Sequence, residues 1–125
     1  MVQQRTPEIV FQPEMTDHAN GARDLRGVFI VTPDKDTALT RYKPFEVQSM
    51  QRFIEVLSLD EAAERFPEVT VPAGGDCLMG MQIGVHSRRK LIDTLDRASV
   101  PYRQMGSDVH VAPEWAGGSM LVFAE

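Results

Sequence analysis

Apolar and polar positions along the chain switch between two periods, and the switches mark out its elements. "LRGVFIVT" holds an unbroken apolar run from Val28 to Val31, which suits a strand buried on both faces. Thr32-Pro33-Asp34 stops it. "DKDTALTRYKPF" then sets Ala38, Leu39 and Tyr42 at helical spacing before Pro44, predicting a short amphipathic helix with that stripe in the core. "FEVQSMQRFIEVLSL" alternates loosely and carries β-branched and aromatic residues, predicting a short strand and then a firmer one from Arg52 to Leu57. Ser58 and Glu61 have the spacing of a capping box for the helix "DEAAERF", which Pro67 ends. "PEVTVPAGGD" reads as a linker.

The second half repeats the opening. "CLMGMQIGV" reads as a strand and Ser87 as the N-cap of "RRKLIDTLDRAS", whose apolar face is Leu91, Ile92 and Leu95. Three strands follow, "VPYRQM", "SDVHVAP" and "GSMLVFAE", separated by Gly106 and "EWAGG". The pattern is an α+β chain of two βαβββ modules, the first abbreviated, forming a curved mixed sheet with helices outside and a cleft on the concave side. The boundaries are an extension at 1–24 and a domain at 25–125, with module one at 25–66, a linker at 67–76 and module two at 77–125. Within the extension, "EIVF" is bracketed by Pro7 and Pro13 and is an edge strand at best, and "DHANGARD" reads as a loop.

Composition narrows the classes. The 125 residues suffice for one domain with its own core, and 42% hydrophobic with 25% charged residues fits a globular chain. A net charge of -5 argues against nucleic acid, since the dense basic run Arg88-Arg89-Lys90 reads as a solvated first helical turn. The single Cys77 excludes an intrachain disulfide and a multi-cysteine zinc site, and reads as a buried or half-buried thiol rather than a nucleophile. No leader or apolar span is visible, so no membrane partner and a cytoplasmic location are expected.

The repeat, with "DHANGARDLRGV", "IEVLSLDEAAERFP" and the closing "VHVAPEWAGGSMLVF", resembles the vicinal-oxygen-chelate superfamily, and more narrowly its glyoxalase-like (glyoxalase/bleomycin-resistance-like) domain proteins, over roughly residues 16 to 125. The resemblance implies a divalent metal held by His or Gln and Glu from the first and last strands of each module. Carried over one by one, those positions fall on Gly27, Glu55, Gly80 and Val122. One of the four keeps a coordinating side chain, and a lone carboxylate does not hold a catalytic metal without other donors. No metal and no cofactor are therefore expected, with the rebuilding of a site from His18, His86 or His110 left open. The resemblance also leaves open whether the chain is part of a longer four-module protein.

Strand alternation lists the wall of the expected cleft: Gly27, Phe29 and Val31; Phe53, Glu55 and Leu57; Gly80, Gln82 and Gly84; Met120 and Val122. The ligand-binding candidates are Gln82, Phe29, Phe53, Leu57, Met120 and Val122, with Tyr102 and Arg103 at the rim and Trp115 as an anchor for its own loop. Glu55 is the catalytic candidate. Buried between Phe53 and Leu57 it would have a raised pKa and act as a general base; paired with Arg41, Arg52 or Arg103 it would do nothing chemical. Three readings stay open: a metal-free binder of a small, mostly apolar molecule; a lyase or isomerase acting alpha to a carbonyl through Glu55; and a structural or dimerisation module whose cleft is filled by its own side chains. The shortened module exposes strand edges, which predicts a homodimer.

Overall fold

The computed structural model describes residues 12–45, 54–71 and 74–125. The possible strand at "EIVF", the short strand expected just after Pro44, Arg52 and Phe53 lie outside these residues. Among the described residues six strands form one mixed sheet, β1 (Ala22–Thr32), β2 (Ile54–Ser58), β3 (Cys77–Val85), β4 (Arg103–Met105), β5 (Asp108–Val111) and β6 (Met120–Ala124), in the order β2-β1-β3-β6-β5-β4. The helices are α1 (Pro13–Thr16), α2 (Lys35–Tyr42), α3 (Leu59–Arg65) and α4 (Arg88–Arg97), with 3₁₀ turns at Lys43–Phe45 and Pro113–Trp115.

The internal repeat is visible in the pairing. Each half begins with a strand that pairs in parallel with the last strand of the same half, β1 with β2 and β3 with β6. The two first strands meet antiparallel at the middle of the sheet, with Phe29 opposite Gly80 and Gly27 opposite Gln82. Phe29 is also opposite Glu55, and Gln82 opposite Val122. Glu55 and Val122 therefore hold the same place in their halves, as the sequence register requires.

Local chemistry sets the helix starts. The Ser58 hydroxyl accepts from the Glu61 N–H at 3.2 Å while the Glu61 carboxylate accepts from the Ser58 N–H at 2.8 Å, closing the expected capping box. Ser87 caps α4 by accepting from the Lys90 N–H, and Asp34 caps α2 by accepting from the Thr37 N–H. Asp76, just before β3, ties α2 to the sheet: its carboxylate accepts from the Thr32 hydroxyl at 2.7 Å, from Tyr42 at 3.1 Å and from Arg41.

Both faces of the sheet are covered. On one, Val85, Val109, Val111 and Phe123 pack with Leu91 of α4, joined by Ile92, Leu95 and Tyr102. On the other, Phe29, Val31, Leu57, Met79, Met120 and Val122 pack with Ala62 and Phe66, from α3 and its end. Two expectations are corrected. Leu39 is 45% exposed, and of the α2 stripe Ala38 is buried and Tyr42 half-buried. Trp115 is 53% exposed in its 3₁₀ turn rather than packed as an anchor. No helix among the described residues is long and apolar enough to cross a membrane.

Candidate functional site

The face expected to line an open cleft is occupied by the chain itself. The segment after β2 folds over this face, bringing Ala62, Phe66, Val69 and Val71 onto it. Phe66, fully buried, lies with its ring 5.3 Å from Phe29 and 5.4 Å from His110, centroid to centroid. The Arg65 guanidinium covers both phenyl rings, 5.0 Å from Phe29 and 5.1 Å from Phe66. Phe29, Leu57, Met120 and Val122 are thus core residues beneath α3 and Phe66 rather than a ligand-facing wall, each 6% exposed or less. Gln82 is half-buried on β3 between Gly27 and Val122.

Glu55 stands at the exposed border of that face. Its carboxylate is 2.5 Å from Arg65, with 46% of the side chain in solvent. The burial that would have made it a base is missing, and it pairs with Arg65 rather than with Arg41 or Arg103, Arg52 lying outside the described residues. Arg41 pairs instead with Asp76 and Arg103 with Glu68.

The four positions implied for a metal do not fit one. Gly27 and Val122 carry no donor, and Glu55 is held by Arg65. At Gly80 a Cβ would sit 2.2 Å from the Met120 carbonyl oxygen and 2.7 Å from its Cβ, so the backbone of β6 excludes any side chain there. Among the described residues no three His, Cys, Asp or Glu side chains converge. Of the histidines, His18 and His86 are exposed, and His110 is buried on the face of Val122.

Polar chemistry gathers instead beside the crossing segment. His110 is 5% exposed, and its cross-strand partner is Arg103. Arg103 Nη2 donates to the Glu68 carboxylate at 3.1 Å and to the Arg65 carbonyl at 3.3 Å. Neither His110 Nδ1 nor Arg103 Nε has a hydrogen-bond partner, although both are buried. Burial, and next the Arg103 guanidinium, hold the His110 pKa below its ordinary 6.5, so the ring is neutral at pH 7. These residues open on a depression of about 180 Å³ lined by Glu68, Pro101, Tyr102, Arg103, His110 and Ala112. Tyr102 is half-buried beside this depression, away from the centre of the sheet where the cleft was expected.

The structure is similar to the crystal structure of methylmalonyl-CoA epimerase from Mycobacterium tuberculosis, with a TM-score of 0.56 at 16% sequence identity, over 86% of this chain and 96% of that one. The two share their fold, an α+β mixed sheet built from βαβ elements. No protein-family profile and no curated protein sequence matches the chain. At that identity the likeness concerns the fold alone and carries no activity with it.

Sequence reasoning left His110 undecided between cleft and solvent and gave no role to Arg65, Phe66 or Glu68. A signal was present. Ala62, Phe66 and Val69 keep an apolar spacing through the end of α3 and past Pro67, where a solvated linker has no need of one.

Proposed function

We propose that this protein is a small-molecule binder on the vicinal-oxygen-chelate fold, working without the metal tetrad. Its ligand site lies in the depression beside His110 and Arg103 rather than over the centre of the sheet. One observation carries the reading. One depression brings His110, Arg103 and Glu68 together, with Arg103 and His110 on neighbouring strands. The remaining wall is largely apolar, the usual composition of a small-molecule site. At about 180 Å³ the depression is below the roughly 300–1,000 Å³ of ordinary ligand pockets, so the ligand is small.

A fragment screen followed by amide and imidazole NMR tests this. Binders should perturb His110, Arg103 and Glu68 while leaving Phe29 and Val31 in place. Hits that map elsewhere would overturn it.

The filled face favours a second reading, a structural or dimerisation module, because Phe66 occupies the space a ligand would take. A light-scattering dimer combined with a fragment screen empty at His110 would put that reading first. The lyase or isomerase reading has less behind it, since Glu55 is exposed and paired with Arg65.

A further inference from the structure

We infer that the segment Phe66–Val71 is a strap that lifts as a unit from the sheet face it covers while the rest of the molecule stays folded, which makes that face a closed cleft with its own lid. The inference goes beyond the binding reading above and stands whether or not the depression at His110 takes a ligand.

The strap is held by few contacts. Among the described residues its backbone makes two hydrogen bonds, Phe66 N–H to the Ala62 carbonyl at 2.8 Å and Val69 N–H to the Phe66 carbonyl at 3.0 Å, and none to a strand. Phe66 alone is fully buried; Val69 and Val71 are half-buried, and Pro67, Glu68 and Thr70 are exposed. Two ion pairs fasten it, Glu68 to Arg103 and, at the end of α3, Arg65 to Glu55. Both pairs are partly open to solvent, where such pairs contribute little. Past the strap, Gly74 and Gly75 hold φ values of 109° and 139° with open space where a side chain would be, so the chain can turn there.

Packing along the strap is also incomplete. Glu68 lines the depression at His110, and Val69, Thr70 and Val71 line a second space of about 110 Å³ with Cys77 and Met79. The closed state carries a cost of its own, because the His110 ring lies against Phe66 with its Nδ1 buried and unpartnered. Few buried apolar contacts and few backbone hydrogen bonds mark a segment that opens before the molecule as a whole does. Beneath it lie Phe29, Leu57, Met120 and Val122, a floor suited to an apolar molecule once the strap is raised.

The test uses single-cysteine proteins. In a Cys77→Ala background, Val122→Cys puts a thiol under the strap, and Val109→Cys puts one in the cluster on the opposite face. Both valines are fully buried and lie on the neighbouring strands β6 and β5, so the two substitutions are matched. Iodoacetamide labelling is followed in urea below the unfolding transition. Val109→Cys should react with the urea slope of global unfolding. Val122→Cys should react about tenfold faster or more and with a shallower slope, since the slope follows the surface exposed on opening. Ile92→Ala weakens the cluster under α4, which the strap does not touch. It should speed Val109→Cys and leave Val122→Cys unchanged, whereas Glu55→Gln with Glu68→Gln should speed both. On the unsubstituted protein, hydrogen exchange of the Phe66 and Val69 amides should show a shallower urea slope than that of the β5 and β6 amides. Two thiols reacting on one common slope would overturn the strap, as would Ile92→Ala speeding both alike, or Phe66 and Val69 amides exchanging on the slope of the strands.

Discussion

At the scale of single residues, Phe66 and Gly80 decide most about this site. Phe66 is fully buried against Phe29 and His110, and truncating it leaves a void that neighbouring strands cannot close. Phe66→Ala should cost on the order of 3–5 kcal/mol in urea unfolding, and Phe66→Leu clearly less. Gly80→Ala should cost about 2 kcal/mol or more, because the obstacle is the β6 backbone. Gly84→Ala should be milder. The atoms that meet its Cβ belong to the side chains of Asp24 and Arg26, which can swing aside. His110 sets a pH dependence. Its folded pKa lies below 6.5, so the folded state binds fewer protons than the unfolded chain, and stability is lost as the pH falls below about 6.5 toward the folded value. His110→Phe should flatten denaturation midpoints between about pH 6.5 and 5, within which the wild type declines.

At the scale of elements, caps and register were open to reading from the sequence, whereas crossings were not. Ser58 and Glu61 announce α3 by type and spacing, because a capping box is local chemistry. Ser58→Ala should cost about 1 kcal/mol, measured by chemical denaturation. The equivalence of Glu55 and Val122 was equally legible, since period-two alternation fixes which residues share a face. Alternation is silent about what lies over that face. The list Phe29, Leu57, Met120 and Val122 was right as a set of neighbours, yet the set is roofed by Phe66. Leu39 shows the same gap on a helix. Spacing identified a stripe, but α2 packs against β2 at the end of the described sheet, and Ala38 alone of that stripe is buried. Glu55 could not be resolved from sequence because its partner, Arg65, sits ten residues on at the end of α3, and their pairing depends on how that helix folds back over the sheet.

Across the whole molecule, the two halves share one core. The cluster under α3 takes Phe29, Val31, Leu57, Ala62 and Phe66 from the first half and Met79, Met120 and Val122 from the second. Neither half buries that face alone, so thermal and urea unfolding should each show one transition, with tertiary and secondary probes coinciding. Stronger acid should weaken the molecule further through carboxylates around the first half. Asp34, Glu61 and Asp76 all have pKa values held below the ordinary 3.8 for Asp and 4.5 for Glu. Thr37 does this for Asp34, Lys35 and the Ser58 N–H for Glu61, and Thr32, Tyr42 and Arg41 for Asp76. Depressed carboxylates stabilise above their unfolded values, and that contribution fades as pH falls below about 4.5 and then through the folded values. Asp76→Asn should shrink this low-pH loss, read as denaturation midpoints from pH 5 to 3.

The close approach of β3 and β6 at Gly80 also bears on descent and engineering. A chain that had merely lost its coordinating side chains could regain them one substitution at a time. Here the first such step, any donor at position 80, meets the Met120 carbonyl before it meets a metal. Restoration would have to begin by moving a strand, with a destabilised sheet as the intermediate. The glycine at this position is hard to replace, and a designer seeking a metal centre on this scaffold should start at its edge and leave the middle of the sheet alone.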